Sequence, residues 1–82
     1  MLSTIALLAQ NSTKGQVVSE EGPLPGVTIL EQGTTNGTIT NVEGEFKINL
    51  SDENAVLMIS YVGFQRKLIP YNGQSDLGEI QL

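Results

Sequence analysis

The chain has no cysteine, no histidine and no tryptophan. Without cysteine, no disulfide can brace the fold and no thiolate chemistry is available. Without histidine, a nucleophilic triad built on imidazole is excluded, and a zinc site would have to be assembled from carboxylates alone. Basic residues are scarce: Lys14, Lys47, Arg66 and Lys67 stand against nine acidic side chains, for a formal charge of −5. Such a surface repels nucleic-acid phosphates and anionic lipid headgroups, which argues against both as partners. No run of roughly 18 or more apolar residues occurs, so no helix here is expected to span a membrane. Together these absences argue against an enzyme, and no catalytic residue, cofactor or metal is expected.

What is present is turn chemistry between short apolar runs. At 82 residues the chain is one domain, of a size at which folding buries only about 60% of the surface of the unfolded chain. Met1 to Gln10 is apolar and uncharged, and residues 1–13 read as a signal-peptide remnant or N-terminal linker. The domain proper is expected over residues 14–82. Its first strand spans Lys14 to Glu20. The run Pro23-Leu24-Pro25-Gly26 fixes φ at two positions and removes two backbone donors, so it makes a rigid connection. Val27 to Leu30 is β-branched and apolar, and reads as a strand. Asn36-Gly37 tolerates positive φ and predicts a tight hairpin turn into Thr38-Ile39-Thr40. Gly44 closes a further turn. Val27 to Leu30, Thr38 to Thr40 and the strand that starts after Gly44 are expected to form a β-meander.

Phe46, Ile48 and Leu50 alternate with Glu45, Lys47 and Asn49, the period of a half-buried strand. Ala55 to Tyr61 is the most apolar stretch and is expected at the centre of its sheet. Val62-Gly63 marks a corner, Phe64 to Tyr71 an edge strand ending near Pro70, Asn72-Gly73 a turn, and Asp76 to Leu82 the last strand. Short strands recurring about every ten residues predict an all-β fold, a seven-stranded antiparallel sandwich.

The spaced set Gly15-x-Val17-Val18, Gly22-x-Leu24-Pro25-Gly26-Val27-Thr28-Ile29, Gly33-Thr34-Thr35-Asn36-Gly37-Thr38, Gly44-x-Phe46 and Leu57-x-Ile59-Ser60-Tyr61-Val62-Gly63-Phe64 resembles the carboxypeptidase-regulatory-like domain. The version it is most similar to stands at the N-terminus of SusC-like TonB-dependent outer-membrane transporters. That resemblance implies a transthyretin (prealbumin)-like Greek-key sandwich. It implies a non-catalytic accessory domain on the periplasmic side of the outer membrane, within a larger transporter of glycans or peptides. Its expected partner is protein, either the rest of the parent receptor or another envelope component. The alternative is a folding, stability or carbohydrate-binding module of a secreted or surface protein such as a metallocarboxypeptidase.

Candidate sites are few. Pro25, Gly26, Asn36, Gly37, Gly44 and Gly63 are expected to be structural turn residues. Asn41, Glu43 and Glu45 set oxygen-bearing side chains around Gly44, a pattern calcium favours, but they lack the distal glutamate of an EF-hand loop. Glu20 and Glu21 with Glu43 and Glu45 offer paired carboxylates, yet they border turns rather than a cleft. Tyr61, Phe64 and Tyr71 are three of four aromatic residues, and an exposed platform of them could stack on sugars. The alternation of its strand assigns Tyr61 to the core. Tyr71, Arg66 and Lys67 are the expected interaction surface. Lys14 brings to mind the lysine–asparagine crosslinks of pilin modules, but the last strand, Asp76 to Leu82, offers no asparagine.

Overall fold

The computed structural model describes residues 11–82. The expectation for Met1 to Gln10 lies outside them. Eight strands follow in order: β1 (Ser12–Ser19), β2 (Gly22–Pro23), β3 (Thr28–Glu31), β4 (Gly37–Ile39), β5 (Glu45–Asn49), β6 (Val56–Ser60), β7 (Lys67–Pro70) and β8 (Asp76–Gln81). They form two sheets packed as a sandwich. In one, β1 is central, with β5 and β2 following one another along one edge and β8 along the other. The second runs β4-β3-β6-β7. β6 is therefore an inner strand and β7 an edge, as the apolarity of the one and the Pro70 of the other predict.

The core is made by alternation. In β5 Phe46 and Ile48 are buried while Glu45, Lys47 and Asn49 are exposed. From the facing sheet Ile29, Leu57 and Ile59 are fully buried and pack against them. Each such side chain contributes on the order of 2 kcal/mol of apolar burial. Gly15 sits opposite Phe46 in the ladder. A Cβ at Gly15 would lie 2.9 Å from the Phe46 ring, so the ring occupies the space that the glycine leaves.

Several expectations need correction. The chain has an eighth strand, the two-residue β2, because Gly22 and Pro23 pair with Ser19 and Val18 at a sheet edge where Pro23 needs no donor. The sandwich is not wholly antiparallel: β8 runs parallel to β1, since the chain's return places both in one direction. β3, β4 and β5 are not a meander. β4 pairs with β3, whereas β5 crosses to the other sheet and pairs with β1. The fold begins before Lys14, because Ser12 and Thr13 pair with Asn49 and Ile48, and Thr13 is buried. Phe64, Gln65 and Arg66 belong to the corner, and only Lys67 to Pro70 is strand.

The turn at Asn36-Gly37 is also different. Gly37 opens β4 opposite Leu30 and its φ is not in the left-handed region; the reversal lies earlier, with Gly33 at φ 84°. The glycine is required by crowding instead, since a Cβ there would stand 2.9 Å from the Ile29 carbonyl oxygen and 3.1 Å from Leu30 Cδ1.

Candidate functional site

The turns hold the polar chemistry of this domain, and most of it is spent internally. Asn41 Oδ1 accepts hydrogen bonds from the backbone N–H groups of Glu43 and Glu45, both at 2.9 Å. Both lone pairs of that oxygen are then occupied, so it is not available as a calcium ligand. Among the described residues no group of three metal-ligating side chains converges. Glu20 and Glu21 sit at the exposed β1–β2 turn, apart from Glu43 and Glu45 in ladder position. Gly44, at φ 76°, brings its carbonyl to Val17 N at 2.8 Å and ties this turn to β1.

Pro25 and Gly26 lead into β3 through a second polar anchor. Thr40 is buried, and its hydroxyl accepts from Val27 N at 2.9 Å and donates to the Leu24 carbonyl at 2.7 Å. Gly26 has φ 79° and donates its N–H to the Thr40 carbonyl.

A third cluster was not anticipated. Glu31 is buried at 5% exposure. Its Oε1 accepts from Asn36 Nδ2 at 3.0 Å and from Ser51 N at 3.2 Å. Asn36 Nδ2 also donates to the Asn49 carbonyl at 2.6 Å. Asn36 is thus a side-chain staple between the β3–β4 loop and the end of β5 in the opposite sheet. The Asn36 amide, with the hydroxyl and N–H of Ser51, holds the Glu31 carboxyl below the ordinary 4.5, outweighing the opposing effect of burial. The sequence carried a signal for this: Val27, Ile29 and Glu31 share one face of the strand, which puts a carboxylate on the buried side.

The expected interaction surface separates into two parts. Tyr71 is not on it. The side chain is buried at 3% exposure within the core cluster, and its hydroxyl donates to the Ser12 carbonyl at 3.4 Å. Ile69 and Tyr71 alternate onto the inner face, so the ring continues the core beyond the end of β7. Arg66 and Lys67 are exposed. The Arg66 guanidinium reaches Met58 Sδ at 3.5 Å, and Lys67 Nζ donates to the Gln81 carbonyl at 2.7 Å. Beside them Phe64 is exposed, its ring centroid 6.0 Å from that of Tyr61. Tyr61 is partly buried against the core, as its strand position predicts. Gly63, at φ 90°, bends the chain at this corner.

A family model described as CarboxypepD_reg-like domain matches residues 13–82. The chain is 37% identical over 65 residues to TonB-dependent receptor P39 of Formosa agariphila, an alignment covering 78% of this chain and 6% of the receptor. It is 31% identical over 77 residues to TonB-dependent receptor SusC of Bacteroides thetaiotaomicron, covering 93% of this chain and 8% of that protein. The chain therefore spans less than a tenth of the length of these curated relatives. Among solved structures, the fold is similar to a chain in an interface mutant of the type II cohesin–X-dockerin complex from Acetivibrio cellulolyticus. The TM-score is 0.69 at 16% identity, over 84% of this chain and 52% of that one.

Proposed function

The chain belongs to the CarboxypepD_reg-like domain family, and from that premise we propose that it is the non-catalytic, periplasmic N-terminal extension of a SusC-like TonB-dependent outer-membrane transporter. The observation that carries this reading is that relatives aligned over 78% and 93% of the chain are TonB-dependent receptors. The parent protein imports a glycan or peptide nutrient, and this domain works by protein contact. Its polar clusters favour such a role. The side-chain oxygens of Asn41, Thr40 and Glu31 are all engaged in holding turns and joining the two sheets. They build a rigid body with a defined outer surface rather than a cleft of unsatisfied reacting groups.

An epitope inserted at the exposed Glu20-Glu21 turn of the full-length protein tests the placement. Antibody should label it only after the outer membrane has been permeabilised. Labelling of intact cells would place the domain outside the cell and end this reading.

A further inference from the structure

Two Asn-Gly pairs stand in the chain, Asn36-Gly37 and Asn72-Gly73, and no other asparagine is followed by glycine. This dipeptide carries its own chemistry. The side-chain amide carbon of an asparagine can reach the next backbone nitrogen, and a glycine there has no Cβ to keep the two apart. Asn41, by contrast, precedes Val42, whose stiff β-branched side chain shields its nitrogen. Asn36 and Asn72 are both exposed, so access to water does not distinguish them. Their bonding does.

Asn36 is held on several sides. Its backbone N–H donates to Thr34 Oγ1 at 2.9 Å, its carbonyl accepts from Glu31 N at 2.8 Å, and Nδ2 donates to Glu31 Oε1 at 3.0 Å and to the Asn49 carbonyl at 2.6 Å. Gly37 beside it is fixed in the β3–β4 ladder. Turning the Asn36 amide onto Gly37 N would break both bonds from Nδ2. Asn72 and Gly73 take part in no hydrogen bond among the described residues. Their turn is closed by one bond, from Gln74 N to the Tyr71 carbonyl at 3.0 Å. The space around Gly73 is open, with nothing within 4 Å of an added Cβ. Asn72 has φ 51°, and among the described residues no other non-glycine residue has positive φ. That region is sparsely populated, and the residue leaves it when the turn relaxes.

We propose that Asn72-Gly73 is a site of spontaneous deamidation, and that the contacts of Asn36 with Glu31 and Asn49 hold Asn36-Gly37 out of the same reaction. Gly73 N, its proton lost to hydroxide, attacks Asn72 Cγ once the two atoms come within about 3–3.5 Å. The new N–C bond closes a succinimide ring. The Cγ–Nδ2 bond breaks, and Nδ2 leaves as ammonia after taking a proton from water, which restores the hydroxide. Water then adds to either ring carbonyl and opens the ring, to aspartate or to isoaspartate, in which the main chain runs through the former side-chain carbon. The formal charge falls from −5 by one. Isoaspartate also lengthens the turn that carries the chain from β7 in one sheet to β8 in the other. The reaction belongs to the domain itself and does not depend on the receptor reading.

The test incubates the 82-residue chain in mildly alkaline buffer, folded and in denaturing urea, and follows both asparagines by peptide mapping with mass spectrometry. Enzymatic methylation of isoaspartate reads the rearranged product. In the folded chain Asn72 should convert faster than Asn36 by about tenfold or more, the scale set by the two hydrogen bonds that Asn36 Nδ2 must lose. In urea, where those contacts are gone, the two rates should converge. Equal rates in the folded chain, or no conversion at Asn72, would overturn the proposal. So would a difference that persists undiminished in urea, because the neighbouring sequence rather than the folded structure would then set the rates.

Discussion

Replacing Gly44 by alanine should cost this domain a large part of its stability, and the structure allows the amount to be divided. Gly44 has φ 76°, where a residue with a Cβ is strained. That strain is about 1–2 kcal/mol. Crowding is the larger part. The new Cβ would collide with the Val17 carbonyl oxygen and stand 3.1 Å from Leu24 N, both backbone atoms. Relief requires β1 and the β4–β5 turn to separate, which loosens the bonds from Val17 N to the Gly44 carbonyl at 2.8 Å and from Leu24 N to the Val17 carbonyl at 2.9 Å. Each contributes about 1 kcal/mol net. The sum is about 3–4 kcal/mol, against a total of about 4–12 kcal/mol for a chain of this length. Gly63→Ala is the matched control, since Gly63 has φ 90° but nothing within 4 Å of its added Cβ. It should cost only the strain. The assay is urea unfolding of the 82-residue chain followed by circular dichroism. With a slope of about 1–3 kcal/mol per molar urea for small proteins, each kcal/mol lowers the midpoint by about 0.3–1 M. Equal midpoints for the two variants would refute the crowding argument and leave only backbone strain.

Three further outcomes are expected. Thr13 is buried and its hydroxyl has no hydrogen-bond partner among the described residues, so Thr13→Val should stabilise by about 1 kcal/mol; a lower Tm would show that the hydroxyl is satisfied. Glu31 has a folded-state carboxyl below the ordinary 4.5, so its contribution is complete above that value and is lost as pH falls through the folded value. Thermal scans from neutral pH to about pH 3 should therefore show a shallower decline for Glu31→Gln than for the parent, and parallel declines would contradict the assignment. Tyr71→Ala should cost about 3–5 kcal/mol as a core truncation, whereas Phe64→Ala at the exposed corner should cost under about 1.5 kcal/mol; comparable losses would mean that the two rings have been assigned to the wrong environments.

Local pattern made much of this fold legible, and tertiary pairing accounts for the rest. The alternation of Phe46, Ile48 and Leu50 with charged neighbours read directly as a half-buried strand, and all three are buried. The two Asn-Gly pairs show where local reading stops. Asn72 and Gly73 both take positive φ, at 51° and 71°, and make the tight turn that their chemistry suggests. Asn36-Gly37 has the same chemistry but enters its strand directly, because the register of Leu30 against Gly37 places the reversal earlier. Register belongs to the strand pair, so neither segment carries it alone. The parallel contact between β1 and β8 joins the two ends of the described chain and leaves no local trace. Glu31 and Tyr71 were within reach, since each falls two residues beyond an inward-facing isoleucine. Tyr71 was read as part of an interaction surface and Glu31 was not singled out, while strand alternation and hydrogen bonding take both inside.

The proposal that these residues form an accessory domain of a TonB-dependent outer-membrane receptor turns on the protein they belong to. Its most direct test is an immunoblot of fractionated native cells with an antibody raised against residues 14–82, reading parent size and compartment together. A band in the outer-membrane fraction more than ten times the mass of this chain is expected, as the relatives' coverage implies. A small band in the soluble or secreted fraction would contradict it.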